Sequence, residues 1–170
     1  RGLGDVYKRQ VITGGAKRLG RAMALELALQ GIDIVIHFNS SLEEAEETRD
    51  IARKNGVNAE LLKADLLEMD ETKGLIKKAR TLIGGPLDIL INNASIFEYD
   101  NLKSADLTSW DRHLDSNLRS AVFLTQEFSE QAPKMTNKNN GLPYASYNVI
   151  IICLLYTSDA EDEYRGVDLG

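Results

Sequence analysis

The sequence lacks cysteine pairs, long apolar runs and any excess of positive charge. Its single cysteine, Cys153, excludes an internal disulfide framework and a Cys-rich zinc site. The longest apolar stretches reach about half of the roughly 20 residues that a membrane-spanning helix needs. Twenty Lys and Arg stand against 26 Asp and Glu, and the formal net charge is −6. A surface that binds nucleic acid phosphates is therefore not expected.

The composition that remains is that of a soluble globular domain. The chain has 170 residues, of which 43% are hydrophobic and 27% charged. No charged segment followed by an apolar one indicates a signal peptide, so we predict a cytoplasmic protein with no membrane partner. His113 has no cysteine or carboxylate at a convincing ligand spacing, and no metal site is predicted.

The two ends of the chain differ from its middle. Residues 1–10 are basic and residues 153–170 are strongly acidic. Both resemble translated sequencing-adapter sequence, in the strings DVYKRQ and LLYTSDA. We expect a leader at 1–10 and a tail at 153–170 that are not native to a domain spanning 11–152. Genuine flexible termini are the alternative.

The middle of the chain alternates short apolar runs with amphipathic stretches of helical length, which is typical of repeated βαβ units around a parallel sheet. Strands are predicted around 11–12, 34–38, 59–63, 87–91 and 148–152. Helices are predicted after the turn at 13–20 and over 42–55, 70–83 and 108–130, the third capped by Asp70 and the last by a box of Thr108 and Asp111. The prediction is an α/β fold with a Rossmann-type doubly wound parallel sheet, incomplete, with about five strands and four helices.

The turn from Thr13 to Gly20 joins the first strand to the first helix, where parallel α/β sheets bind ligands. Glycine lets the backbone turn tightly and approach a pyrophosphate. The helix that follows offers unpaired N–H groups and partial positive charge to an anion. A glycine-rich turn can also be a plain connector, but its place between strand and helix favours dinucleotide binding.

Three further features follow the glycine turn in order along the chain: Asp65-Leu66, Asn92-Asn93-Ala94-Ser95, and Asn117 in the last predicted helix. Together with the turn they resemble the short-chain dehydrogenase/reductase family of the classical type. Thr13, Gly14 and Gly20 match its Thr-Gly-x-x-x-Gly-x-Gly motif, and Arg18 replaces the middle glycine. The variant is similar to the pteridine reductase-like branch, including relatives of dihydromonapterin reductase. Asp65-Leu66 matches the family's adenine-side pair, Asn92-Asn93-Ala94-Ser95 its Asn-Asn-Ala-Gly motif, and Asn117 its active-site asparagine. The matches extend from 11 to about 135.

The resemblance implies a cofactor site and a set of residues that line it. The predicted cofactor-binding residues are Gly14, Lys17, Arg18, Leu19, Gly20, His37, Asn39, Ser40, Ser41, Asp65, Leu66, Asn93, Ala94 and Ser95. For His37 two interpretations stay open: it lines the adenosine pocket, or it merely ends a strand.

NADP(H) is predicted in preference to NAD(H). An NAD site usually has an acidic residue at the end of the second strand, whereas this strand is followed by Asn39, Ser40 and Ser41. Lys17 and Arg18 bring cations to the same rim, and arginine suits phosphate oxygens. The alternative is that both cations are solvated loop charges.

The resemblance further implies hydride transfer to a carbonyl or C=N compound, a pterin among them. Asn117 would be the catalytic residue that holds a water in the proton relay, and a helix-interior amide that bonds local backbone is the alternative. The family's Tyr-x-x-x-Lys pair is predicted to be absent. Tyr144 is followed at that spacing by Asn148 and precedes the fifth strand, and Tyr156 is followed by Ala160. We expect a truncated, inactive chain of a protein that is a homo-tetramer at full length. A non-catalytic NADP(H)-binding regulatory module is the rival.

Overall fold

The computed structural model describes residues 8–98 and 103–131, and the backbone of 134–136, 143–145 and 148–151. The strands are β1 (Arg9–Ile12), β2 (Asp33–Phe38), β3 (Ala59–Lys63), β4 (Ile89–Asn92), β5 (Lys134–Thr136), β6 (Pro143–Ala145) and β7 (Asn148–Ile151). The helices are α1 (Arg18–Leu29), α2 (Leu42–Lys54), α3 (Met69–Thr72), α4 (Leu75–Ile83), α5 (Leu107–Leu114) and α6 (Ser120–Gln131). A π-helical turn, Asp115–Arg119, joins α5 to α6.

Five of the strands form one parallel sheet in the order β3-β2-β1-β4-β7. The chain runs outward from β1 through β2 to β3 and then returns to the other side of β1 with β4. Winding therefore reverses between β1 and β4, and open α/β sheets bind ligands at such a switch point. The predicted α/β class with a Rossmann-type doubly wound parallel sheet is confirmed.

The core lies in two layers because side chains alternate between the faces of each strand. On one face Val11, Val35 and Leu90 pack with buried residues of α4 and α6. On the other face Ile12, Ile34, Ile36 and Ile91 pack with small residues of α1 and α2. Strands covered on both faces explain the continuous apolar runs seen in the sequence.

The prediction of one continuous helix over 70–83 is wrong. The segment is broken into α3 and α4 at Gly74, whose φ of +79° lies in the left-handed region. Asp70 lies inside α3 instead of capping it, and Glu68 is the N-cap residue. The carboxylate of Glu127 on α6 accepts the N–H groups of Ile76 and Lys77 at 3.3 and 3.2 Å and so caps α4 from a distance.

The predicted capping box of Thr108 and Asp111 is also wrong, by two residues. Asp106 is the N-cap of α5, and its carboxylate accepts the Ser109 N–H at 2.8 Å. The Ser109 hydroxyl accepts the Asp106 N–H at 3.3 Å in return. This reciprocal pair satisfies N–H groups that a helix start leaves unpaired.

The count of about five strands and four helices is exceeded in the described part of the chain. The split third helix, the π-helical turn and a short antiparallel pair of β5 and β6 account for the difference. Strand β1 begins at Arg9, two residues before the predicted domain boundary, so the end of segment 1–10 belongs to the sheet. Residues 1–7 of that leader, the polar loop at 137–141 and the tail at 153–170 lie outside the described residues. None of the described helices is long and apolar enough to cross a bilayer.

Candidate functional site

The residues predicted to bind a cofactor follow the carboxyl ends of four neighbouring strands. The turn at 13–20 follows β1, residues 39–41 follow β2, 65–66 come after β3, and 93–95 follow β4. Because these strands are parallel, the four segments meet at one edge of the sheet, around the switch point.

Thr13 connects the two strands that flank the switch point. Its hydroxyl accepts the backbone N–H groups of Asn93 and Ala94, both at 2.9 Å, and faces the Ile91 carbonyl at 3.4 Å. The Asn93 side-chain amide donates to the carbonyls of Thr13 and Gly14 at 2.9 and 3.2 Å. Thr13 was matched in the sequence motif but not named as a site residue. Its position between a strand and a glycine was the available signal.

Two glycines of the turn are required by close backbone approach. Gly14 has a φ of +63°, and a Cβ there would lie 3.0 Å from the Ala94 Cα. A Cβ on Gly20 would overlap the Gly14 carbonyl oxygen and lie 2.6 Å from the Asn93 side-chain nitrogen. The first turn of α1 therefore lies directly against the glycine turn, and any side chain at Gly20 would separate them.

The start of α1 has no side-chain cap among the described residues. Its N-cap residue is Lys17, whose carbonyl accepts the Arg21 N–H at 3.1 Å but whose side chain has no acceptor and makes no cap hydrogen bond. The first N–H groups of a helix need a partner, and a bound anion is one way to supply it. The close glycines and the uncapped helix start together fit a phosphate group.

The two cations of the rim are in different situations. Lys17 lies 2.6 Å from the Glu44 carboxylate of α2, and the hydrogen bond from this ammonium lowers the pKa of Glu44. Arg18 is exposed and forms no ion pair with the described residues. Its backbone has a φ of +49°, in the left-handed region that favours glycine. That conformation explains why the family motif has glycine where this chain has arginine.

The segment after β2 carries no carboxylate. Asn39 and Ser40 are exposed, and Ser41 is the partly exposed N-cap residue of α2 without a side-chain hydrogen bond to that helix. Leu19, on the first turn of α1, is 44% exposed at the same edge. These side chains are therefore free to face a ligand rather than committed to the core.

His37 is buried between the turn and β3. Its Nδ1 accepts the Gly14 N–H at 3.1 Å, and its Nε2 lies 3.1 Å from the Ala64 carbonyl oxygen. Only 2% of the residue is exposed. The sequence left open whether His37 lines the adenosine pocket or merely ends a strand. In the structure the residue lies inside β2, and its buried ring contacts the glycine turn.

Burial lowers the pKa of His37 to about 4, from 6.5. Between these pH values the unfolded chain takes up a proton that the folded chain does not, so stability is lost as pH falls through this window. From pH 7 to pH 5 we expect the free energy of unfolding to fall by about 2 kcal/mol more in the wild type than in His37→Asn. Urea unfolding at the two pH values measures this. Equal pH slopes in both proteins would contradict it.

The pair after β3 is positioned by local hydrogen bonds. The Asp65 carboxylate accepts the Leu67 N–H at 3.0 Å, and the Asp65 N–H donates to Glu71 at 2.7 Å. Leu66 is buried in the core layer that includes α4. Asp65 is partly exposed at the site edge, whereas Leu66 supports the edge from below.

Asn117 lies in the π-helical turn and reaches the segment after β4. Its Oδ1 accepts the Ile96 N–H at 2.9 Å, and its Nδ2 donates to the Ile96 carbonyl at 3.1 Å. The bonded backbone is thus that of the loop next to Ser95, not of its own helix. Each end of an amide can make a second hydrogen bond, so capacity for a water remains. π-Helical turns occur often at functional sites.

One correction concerns the Tyr-x-x-x-Lys pair. Its predicted absence is wrong as a statement about spacing, since Tyr99 and Lys103 stand in this relation once in the sequence. Tyr99 lies outside the described residues. Lys103 is in a turn of the segment between β4 and α5, and so it precedes β7, the fifth strand of the parallel sheet. Tyr144 is in β6, paired with Met135, and Tyr156 lies outside the described residues.

Both ring nitrogens of His113 face backbone hydrogen-bonding groups. Its Nδ1 lies 2.8 Å from the Ser109 carbonyl, and its Nε2 accepts the Glu98 N–H at 3.2 Å. The described ranges contain no group of three His, Cys, Asp or Glu that could hold a metal ion.

Known proteins share this architecture. FolM Alternative dihydrofolate reductase 1 from Brucella suis, solved in complex with NADP, is 35% identical with a TM-score of 0.71, over 76% of this chain and 53% of that chain. 3-Oxoacyl-acyl-carrier-protein reductase FabG from Staphylococcus aureus is 30% identical, over 79% of this chain and 53% of the relative. L-rhamnose 1-dehydrogenase (NADP(+)) from Thermoplasma acidophilum is 34% identical, over 79% and 52%.

The chain spans about half the length of these relatives. A protein-family model described as short chain dehydrogenase matches residues 8–142, which include the glycine turn, the segment after β4 and Asn117. This chain belongs to the short-chain dehydrogenase family.

Proposed function

We propose that this chain is the cofactor-binding part of an NADP(H)-dependent oxidoreductase. The observation that carries the proposal is the contact of Gly20 with Gly14, which places the uncapped start of α1 against Gly14-Gly15, the part of the turn that has no side chains. N–H groups and partial positive charge there suit a pyrophosphate. Gly14, Leu19, Gly20, Asn93, Ala94 and Ser95 would border the coenzyme on this side, and Asp65 and Leu66 the adenine.

The preference for NADP(H) is supported by Arg18 and the polar residues that follow β2. Arg18, Asn39, Ser40 and Ser41 can donate hydrogen bonds to a 2′-phosphate, and no carboxylate among 39–41 repels it. Lys17 is already paired with Glu44, so Arg18 is the main cation available. The relative from Brucella suis was solved with NADP. Titration of the purified chain with NADPH and NADH tests this, and NADH binding as tight as NADPH binding would remove it.

Arg18→Gly should improve stability and harm NADPH binding at the same time. Glycine adopts the left-handed backbone without strain, but it also makes the unfolded chain more flexible. The net gain in the free energy of unfolding is expected to be about 1 kcal/mol. Loss of a charged hydrogen-bond donor should weaken NADPH about tenfold or more and leave NADH unchanged. Urea unfolding and coenzyme fluorescence measure the two effects.

Arg18→Ala is the matched control for that variant. It removes the same guanidinium and keeps a side chain in the left-handed conformation, so the loss of NADPH affinity should occur without the gain in stability. An equal loss for NADPH and NADH in Arg18→Ala would identify Arg18 as a structural residue.

The proposed reaction is reduction of a carbonyl or C=N compound. The reduced coenzyme supplies the hydride when it is bound. Asn117 has a free hydrogen-bonding position at each end of its amide, which suits a water in a proton relay. A pterin is the substrate we favour, supported by the similarity to FolM Alternative dihydrofolate reductase 1. We propose that these 170 residues alone bind coenzyme but turn over little substrate, and assaying them with NADPH and a dihydropterin tests this.

At full length we propose a cytoplasmic homo-tetramer. Large apolar side chains spaced three or four residues apart are 40–81% exposed along α5, the π-helical turn and α6: Leu107, Trp110, Leu114, Leu118 and Val122. An apolar stripe of this kind suits contact with a second copy of the chain. Sedimentation equilibrium of the longer protein decides the point, and a monomer would contradict it.

A further inference from the structure

The ring of His37 uses both of its nitrogens to join two segments of the site. Nδ1 faces a backbone N–H, that of Gly14, and must therefore carry a lone pair. Nε2 faces the Ala64 carbonyl and must therefore carry the proton. The two contacts define the neutral Nε2–H tautomer, because a charged ring would place a proton against the Gly14 N–H.

The same residue holds the next amide of the turn as well. The Gly15 N–H donates to the His37 carbonyl at 2.9 Å, so the two consecutive glycine amides are bound by one residue of β2. A glycine pair has little stiffness of its own, since it can adopt many backbone conformations. The ring contact is thus the part of this arrangement that a side-chain substitution can remove.

We propose that His37 is a positioning residue for the glycine turn: its neutral ring fixes the Gly14 amide, and thereby the surface offered to the coenzyme phosphates. The ring acts through Gly14 and does not itself touch the coenzyme. This inference rests on the proposed coenzyme site and names a device within it. His37 thus differs in role from residues 39–41 after β2, which would contact the coenzyme directly.

The surroundings keep the ring in the required form. The ring packs between the turn after β1 and the end of β3, and the charged side chain that acts on it is Asp65, just beyond β3. The Asp65 carboxylate and the Ala64 carbonyl favour the proton, but burial opposes it more strongly and lowers the pKa of His37. At neutral pH the ring therefore accepts from Gly14 throughout.

Two substitutions separate the two contacts. In His37→Asn the side-chain oxygen takes the place of Nδ1 and can accept the Gly14 N–H, while the contact with Ala64 is lost. In His37→Gln the longer amide can donate to Ala64, while the contact with Gly14 is lost. Each variant leaves one buried backbone group unpaired, so both should lose similar stability in urea.

The two variants should differ in their affinity for NADPH. We expect His37→Gln to weaken NADPH about tenfold or more and His37→Asn to rescue most of that affinity. Hydrogen exchange of the Gly14 amide should be slow in the wild type and in His37→Asn and fast in His37→Gln. Equal losses of affinity in both variants, or no loss in either, would overturn the inference in favour of a purely structural histidine.

Two readouts do not depend on coenzyme binding. If the wild type fails to bind NADPH, the proposed function falls, and Gly14 exchange alone judges His37: a difference between the variants supports it, and equal rates overturn it. Nitrogen NMR of the wild-type ring at neutral pH needs no variant. A Nδ1–H tautomer or a charged ring there would refute the inference even if neither variant folds.

Discussion

Alanine in place of Gly20 is expected to weaken NADPH binding strongly and to destabilise the fold. The added methyl group would overlap the Gly14 carbonyl oxygen and crowd the Asn93 side chain, 2.6 Å away. Neither neighbour can yield, because the Asn93 amide holds the carbonyls of Thr13 and Gly14. The helix α1 must therefore move off the turn. We expect the free energy of unfolding to fall by about 3 kcal/mol.

The effect on binding follows from the same movement. Displacing the start of α1 removes at least two N–H contacts to a charged phosphate, which corresponds to a loss of affinity on the order of 100-fold. Thermal shift with and without NADPH measures both effects. Gly56→Ala is the control: nothing lies within 4 Å of an added Cβ there, so the expected cost is the strain of its left-handed backbone, about 1–2 kcal/mol, with NADPH affinity unchanged. Wild-type affinity in Gly20→Ala would disprove a phosphate site at this turn.

Gln10→Leu is expected to stabilise the protein by about 2–3 kcal/mol, which raises the melting temperature by about 5–10 °C. Gln10 is completely buried in β1, beside Ile34 of β2 and Ile89 of β4. Neither polar atom of its amide has a hydrogen-bond partner among the described residues. Leucine fills a similar volume and leaves no buried polar atom unpaired.

Gln30→Leu provides the comparison, since Gln30 is exposed at the end of α1 and its replacement should change stability by less than about 0.5 kcal/mol. A Gln10→Leu protein no more stable than the wild type would mean that a water or another group satisfies the amide. Gln10 is also the last residue of the segment predicted to be foreign to the domain. That origin stays a prediction.

The sequence predicts well those features that depend on local patterns. Strand β3 has the predicted bounds, and the glycines that follow α1 and α2, Gly31 and Gly56, have the left-handed backbone expected at helix ends. The glycine turn precedes the predicted helix. Apolar periodicity and glycine position suffice for such features because each is decided within a few residues.

Features decided by distant residues could not be predicted. The cap of α4 comes from Glu127, about 50 residues away along the chain. Thr13 meets Asn93 only because β1 and β4 are neighbours in the sheet. The role of His37 likewise depends on Gly14 and Ala64, which flank it in space but not in sequence. Hydrogen bonds of this kind follow from the topology, so they require the fold before they can be seen.

The ion pair between Lys17 and Glu44 has a consequence for how coenzyme choice evolves in such proteins. Glu44 stands on α2, outside the sequence motifs matched above, yet it pairs with Lys17, one of the two cations beside the glycine turn. If the proposed coenzyme site is present, homologues that share these motifs can therefore differ in the charge beside the glycine turn, according to a single surface position on a neighbouring helix. Selection acting on that position would retune the choice between the phosphorylated and unphosphorylated nucleotides while leaving the diagnostic glycines untouched.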